Sequence, residues 1–156
     1  RMVPLRSTFQ KMSRLARDVS KKLDRPIQFV LAGEDTELDK TVVDQIADPL
    51  IHLVRNAIDH GIESDPAVRR AAGKPDAGRI ELRAYHQGGA VNIEIADDGR
   101  GLCREPILAK ARERGLVAEG AVLTDEQVHR LVLEPGFSTA ASVTEVSGRG
   151  VGLDVV

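Results

Sequence analysis

The sequence predicts an α+β fold, and three observations lead to it. An amphipathic helical pattern opens the chain, a β-hairpin pattern with a diglycine turn occupies its middle, and two further helical patterns follow. The 156 residues suffice for about one domain, and its core should be aliphatic because aromatic residues make up only 3% of the chain.

The first helix is predicted from about Pro4 to Leu23, where apolar residues recur at steps of three and four. Its other face is rich in Arg and Lys, which we interpret as a solvated face, with a partner surface as the alternative. A short strand is predicted between Pro26 and Gly33, because apolar residues alternate there.

A second helix is predicted to begin after Asp39, whose side chain suits an N-cap. Pro49 should restart or kink it, and Gly61 should end it. The polar stretch Glu63–Gly78 is interpreted as a surface excursion with a short helix around Pro66–Ala72.

The hairpin is predicted around Gly88-Gly89, because apolar and polar residues alternate on both sides of this pair. Helices should follow from about Glu105 to Arg114 and from Thr124 to Leu133, where Thr124 begins a capping-box pattern. The Gly-, Ser- and Thr-rich stretch Glu134–Gly150 is predicted to be a mobile loop.

Charge and cysteine usage limit the partners and the compartment. The net charge of -2 gives no bulk electrostatic attraction for nucleic acid or for an anionic membrane. A single cysteine excludes an internal disulfide, and no signal peptide or long apolar stretch is present. These features predict a cytoplasmic protein with no membrane insertion and no nucleic-acid partner.

Three polar residues fall on one side of the second helix: His52, Asn56 and Asp59, with His60 at the margin. An ordinary solvated face is the alternative interpretation. The carbonyl oxygen of Asn56 nevertheless suits Mg²⁺, a hard ion that keeps waters and shares phosphate oxygens.

Two glycine clusters complete the candidate site. In the first, Gly99 and Gly101 allow close backbone approach to a flat ligand, and Asp97 can accept a hydrogen bond from the exocyclic amine of adenine. A plain tight turn is an equally good explanation of this cluster alone. The second cluster could present successive N–H groups to a triphosphate, or serve as a hinge; its glycines are Gly148, Gly150 and Gly152. No P-loop motif occurs.

At these residues the chain resembles the GHKL ATP-binding fold shared by histidine kinases, DNA gyrase, the Hsp90 chaperone and the MutL mismatch-repair protein. Within it, Asp48–Glu63, Pro135–Ala140 and Ser147–Val156 are similar to the N, F and G2 boxes of chemotaxis histidine kinases of the CheA type. The resemblance implies a two-layer α/β sandwich of the GHKL or Bergerat type, with a mixed sheet covered by helices on one face. Residues 1–156 would form one domain, truncated at its C-terminal end.

The resemblance also implies ligands and roles. Asn56 would hold Mg²⁺, His60 would approach the phosphates of ATP, and Asp97 would bind the adenine amine beside Gly99 and Gly101. Further residues would contact phosphate or form the lid over it: Lys110, Ser138, Thr139, Gly148, Gly150 and Gly152.

His52 stands where the gyrase and Hsp90 branches carry a water-activating Glu. We therefore expect His52 to assist phosphoryl transfer to an incoming imidazole, because a kinase must avoid activating water. A GHKL ATPase and a non-catalytic ATP-sensing module are the alternatives.

The phosphate acceptor is expected outside the chain, since none of its four histidines is followed by an acidic residue. The implied acceptor is a histidine-phosphotransfer domain, in cis or in trans, that serves a response regulator in chemotaxis or motility signalling. Residues 1–5 resemble the end of a dimerisation linker, so a dimerisation domain and a receptor-coupling protein are further implied partners.

Overall fold

The computed structural model describes residues 1–101 and 104–131. Arg1–Gly99 form one compact unit and a second begins at Arg100; the expectation of a single domain over 1–156 stays a prediction. The strands are Met2–Pro4 (β1), Ile27–Ala32 (β2), Glu37–Asp39 (β3), Gly78–Gln87 (β4) and Ala90–Asp97 (β5). The helices are Arg6–Leu23 (α1), Lys40–Asn56 (α2), Pro66–Ala71 (α3), Arg104–Glu113 (α4) and Asp125–Arg130 (α5). A π-helix over Ala57–Gly61, which we call the π-turn, continues α2.

The main sheet of the first unit is mixed, with strand order β2-β4-β5. Strand β2 runs parallel to β4, and β4 pairs antiparallel with β5 through the predicted hairpin. Both hairpin glycines have positive φ, 58° at Gly88 and 77° at Gly89, as a two-residue primed turn requires. Ile80, Leu82 and Ala84 are buried on one face of β4, which confirms the alternation seen in the sequence.

Helix α1 packs its apolar side into the core of this unit. Of the side chains that the periodicity selected, Phe9, Met12, Ala16 and Val19 are buried, and Thr8, which it did not select, is buried with them. The helix begins at Arg6 and not at Pro4, because Met2–Pro4 pairs antiparallel with β3 as a strand that the sequence did not predict. Pairing of these residues within the unit does not test their assignment to a linker, which stays a prediction.

Helix α2 runs through Pro49 without a break and leads into the π-turn. The side chain of Asp39 accepts a hydrogen bond of 2.9 Å from the Thr41 amide, which confirms the predicted N-cap. The helical stretch does end at Gly61, but Gly61 is not left-handed; the Ile62 amide closes the turn on the Ala57 carbonyl at 2.9 Å. Hydrogen bonds from i to i+5 are rare in proteins as a whole, and those that occur are often found at functional sites.

The second unit contains α4 and α5, which pack together through Ile107, Leu108, Ala111 and Val128. Thr124 and Gln127 form the predicted capping box. No helix in residues 1–101 or 104–131 is both long and apolar enough to cross a membrane.

Candidate nucleotide site

The end of β5 lies directly against the π-turn. A Cβ added at Gly61 would lie 3.1 Å from both carboxylate oxygens of Asp97, and one added at Gly99 would overlap the carbonyl oxygen of Gly61. Glycine is therefore required at Gly99 for this approach, whereas a side chain at residue 61 would press on the Asp97 carboxylate. The contact unites two motifs that the sequence offered separately, the polar helix and the first glycine cluster.

The carboxylate of Asp97 is oriented by its own turn. The Gly99 amide donates a hydrogen bond of 2.9 Å to Asp97 Oδ1, and the residue is exposed at the strand end. A carboxylate fixed in this way can accept a hydrogen bond from an amine of a flat ligand. The arrangement suits the predicted hydrogen bond from the exocyclic amine of adenine to Asp97.

The polar residues of α2 lie half-buried near its C-terminal end, where the π-turn begins. His52 Nε2 is buried and has no hydrogen-bond partner in the described part of the chain. Such nitrogens are uncommon and require an explanation. A π-helix also rotates less per residue than an α-helix, so the straight-helix placement of Asp59 and His60 relative to Asn56 does not hold.

Arg25 ties the start of β2 to the π-turn, and the sequence did not single it out. Its Nη1 donates to the carbonyl oxygens of Ile58, at 2.9 Å, and of Asp59. The Asp59 carboxylate lies 3.7 Å from Arg25 Nη1 and 3.5 Å from His60 Nε2. Arg25 thus satisfies two carbonyl groups in the last turn of the helix, where no intrahelical N–H is available to them.

A charge cluster forms around the buried Arg69 at the end of β5, and its other members are Glu63, Lys74 and Asp98; we call it the buried charge cluster, although Lys74 and Asp98 are partly exposed. Arg69 is fully buried, with Nη1 3.0 Å from Glu63 Oε1 and Nη2 2.9 Å from Asp98 Oδ2. Lys74 Nζ lies 3.1 Å from Glu63 Oε2. Two cations face two carboxylates, so the cluster is electrically balanced, as buried charges require.

The ionisation of this cluster follows from burial opposed by hydrogen bonding. Burial acts to raise the pKa of Glu63 and of Asp98, but donated hydrogen bonds outweigh it and lower both pKa values. The donors include Lys74 and Arg69 for Glu63, and the Arg79 amide and Arg69 for Asp98. Burial acts to lower the pKa of Arg69, but its two carboxylate partners raise it. All three groups are therefore charged at neutral pH.

The interpretation of Glu63–Gly78 as a surface excursion is wrong for Arg69 and Glu63, although Arg70 and Asp76 are exposed as expected. The short helix is present as α3, but Arg69 points inward, because its partners come from residues 63, 75, 77 and 98. The polar composition of this stretch did not indicate that Arg69 would be buried.

The remaining predicted site residues lie elsewhere. Gly101 and Lys110 belong to the second unit, Lys110 on α4. The lid candidates lie outside the described residues: Ser138, Thr139, Gly148, Gly150 and Gly152. The roles of all the predicted site residues stay predictions.

The donor chemistry at Asn56 fits a magnesium ion held partly by a ligand. In the described residues no three His, Cys, Asp or Glu side chains form a metal cluster. Mg²⁺ bound with a nucleotide needs no such cluster, since it takes one or two protein oxygens and fills the rest with phosphate and water. One amide oxygen at the end of α2 meets that requirement.

A helix end packed against the Asp-Gly strand end of a mixed sheet is the arrangement that the resemblance to the GHKL fold led us to expect. The profile of the family described as "Histidine kinase-, DNA gyrase B-, and HSP90-like ATPase" matches residues 45–156. The chain belongs to this family. The match confirms the predicted fold class.

Within this family, the chain is similar in sequence to several curated proteins that share one name. Over its full length the chain is 51% identical to "Chemotaxis protein CheA" of Bacillus subtilis and 53% identical to the protein of that name from Klebsiella aerogenes. It spans only 23% and 24% of these relatives. A histidine kinase domain from Erythrobacter litoralis aligns with 83% of this chain and 54% of its own, at 18% identity and a TM-score of 0.40, too low to support any inference.

Proposed function

We propose that this chain is the ATP-binding catalytic domain of a CheA-like histidine kinase. It binds Mg-ATP and supports transfer of the γ-phosphoryl group to a histidine on a separate phosphotransfer domain. The setting is two-component chemotaxis or motility signalling in the cytoplasm.

The observation that carries this proposal is the contact of the π-turn with the end of β5. Gly61, the last residue of the π-turn, lies against the Asp97 carboxylate. The same turn contains His60, four residues beyond Asn56. An adenine held at Asp97 would thus lie beside the helix end that carries Asn56 and His60. Identity of about half to proteins named for chemotaxis, over the whole chain, supports the CheA branch.

The proposed reaction is an in-line displacement. A nitrogen of the acceptor imidazole attacks the γ-phosphorus, the bond from that phosphorus to the bridging oxygen breaks, and ADP leaves. His52 stands at the position where a Glu would activate water, and we assign it to the incoming imidazole, whose N–H proton it accepts or helps to orient. Hydrolysis is disfavoured because no carboxylate stands at residue 52.

Other groups complete the proposed site. Asn56 would hold Mg²⁺, which neutralises charge on the phosphates when bound. His60 and Lys110 would contact phosphate, and Gly99 and Gly101 would border the adenine. The lid would comprise Ser138, Thr139 and the glycines 148, 150 and 152.

The partners in this proposal are a histidine-phosphotransfer domain, a dimerisation domain, a receptor-coupling protein and a response regulator. A chimera tests them directly: the chain replaces the matched segment of the Bacillus subtilis relative and receives radiolabelled ATP. Label on the phosphotransfer histidine supports the kinase. Free phosphate alone would indicate a hydrolase, and ATP binding without either product would indicate a sensor.

Variants of the chimera assign the roles. We expect Asn56→Ala to abolish Mg²⁺-dependent transfer and His52→Ala to slow transfer by about 10²-fold or more with ATP affinity retained. His86→Ala is the matched control, because His86 is exposed on β4. Unchanged transfer in His52→Ala would remove His52 from the reaction.

A further inference from the structure

We propose that Lys74 and Arg69 are positioning residues for nucleotide recognition. Through the buried charge cluster they fix the backbone of Asp98 and Gly99, and this backbone in turn orients the Asp97 carboxylate. The proposal rests on the proposed function, since it takes Asp97 as the group that binds adenine.

Lys74 acts on the backbone itself. Its Nζ donates to the carbonyl oxygens of Asp98 and Gly99, at 2.8 Å each, as well as to Glu63 Oε2. One ammonium therefore holds two consecutive carbonyls just beyond the strand end. Glu63, only 9% exposed, pairs with the same ammonium.

Arg69 holds the same segment from within the core. Besides its two carboxylate partners, it donates to the carbonyl oxygens of Pro75, Ala77 and Asp98 at 2.8, 3.3 and 3.3 Å. The guanidinium thus uses its rigid set of donors on groups that are already folded around it. Asp98 is the shared partner, held by Arg69 through both its carbonyl and its carboxylate.

The restraint passes to Asp97 through two short links. Asp98 exchanges hydrogen bonds with Arg79, whose amide donates to the Asp98 carboxylate at 2.8 Å and whose carbonyl accepts from the Asp98 amide at 3.0 Å. The Gly99 amide then donates to Asp97 Oδ1. Because Gly99 also abuts Gly61, a shift of Gly99 would move the Asp97 carboxylate relative to the π-turn.

The cluster is suited to positioning and not to contact with phosphate. Arg69 has no exposed surface, and both cations are paired with carboxylates. Loss of the restraint should therefore weaken binding of the nucleotide while leaving the transfer step intact.

The test uses Lys74→Met, because Lys74 is partly exposed and its loss is less damaging to folding than loss of Arg69. We expect Lys74→Met to raise the Kd of the chain for both ATP and ADP about tenfold. In the chimera, KM for ATP should rise while kcat at saturating ATP stays within about twofold. Lys40→Met is the matched control, since Lys40 pairs on the surface with Asp44 and should change neither constant.

A second measurement needs no nucleotide. In the free chain, hydrogen exchange at the Gly99 amide should accelerate in Lys74→Met and return toward the wild-type rate in Lys74→Arg. A wild-type chain that binds no ATP would overturn the proposed function. Normal ATP binding by Lys74→Met, or unchanged exchange at Gly99, would overturn the positioning role alone.

Discussion

Arg69 and Arg70 are neighbours on α3, yet they occupy opposite environments. Arg69 is completely buried and bridges Glu63 and Asp98, whereas Arg70 makes a two-point pair with Asp76 at 2.7 and 2.9 Å on the surface. The distances are alike in the two sites. The two arginines differ in their exposure to water and in the number of groups to which each donates hydrogen bonds.

This contrast shows why bond length alone does not rank ion pairs. An exposed pair exchanges protein contacts for water at little net gain. Removal of one partner from a buried pair leaves a charge without solvent or compensation, which costs far more. The buried arginine also anchors the strand end that carries Asp97, so its effects should extend to the site.

The largest expected effect comes from Arg69→Met compared with Arg70→Met. Loss of Arg69 takes from Asp98 its arginine partner and leaves Glu63 paired with Lys74 alone, and it should lower the free energy of unfolding by about 3–5 kcal/mol. Urea denaturation followed by circular dichroism measures it. Arg70→Met should leave the curve nearly unchanged; equal destabilisation by the two variants would contradict the comparison.

The pH dependence of the free energy of unfolding should be an effect of intermediate size. The folded pKa values of Glu63 and Asp98 are lowered, so their stabilisation is present above the ordinary values of 4.5 and 3.8 and is lost as the pH falls below them. The free energy of unfolding should therefore decrease on acidification.

Glu63→Gln separates this contribution from other carboxylates. The variant should be less stable at neutral pH and should lose less stability on acidification, because residue 63 no longer binds a proton. Glu119→Gln, at an exposed position, is the control. Parallel pH curves for wild type and Glu63→Gln would show that Glu63 does not contribute to the pH dependence.

The smallest effect is expected from Asp76→Asn. The pair it breaks is exposed and open to screening, so unfolding at low salt should change little and the difference should vanish near 1 M salt. Thermal unfolding at two ionic strengths measures it. A large loss that persists at high salt would place Asp76 in the same class as the buried cluster.

Much of the secondary structure was predictable, because its causes are local. The apolar spacing of α1, the Asp39 cap, the diglycine hairpin and the Thr124 capping box each depend on residues within a few positions of one another. Two short strands escaped prediction, since β1 and β3 are stabilised by pairing across more than 30 residues. Two carbonyls of the π-turn are likewise bound by Arg25, which lies more than 30 residues away in sequence.

For the site, the sequence by itself determined the candidate groups: a polar helix end, an Asp-Gly strand end and a second glycine cluster. Only the tertiary structure decided that Gly61 and Gly99 touch and that Arg69 is buried between Glu63 and Asp98. Periodicity and capping report on neighbours along the chain. Charge compensation in a core depends on which distant residues fold around a side chain, and 29 positions separate Arg69 from Asp98.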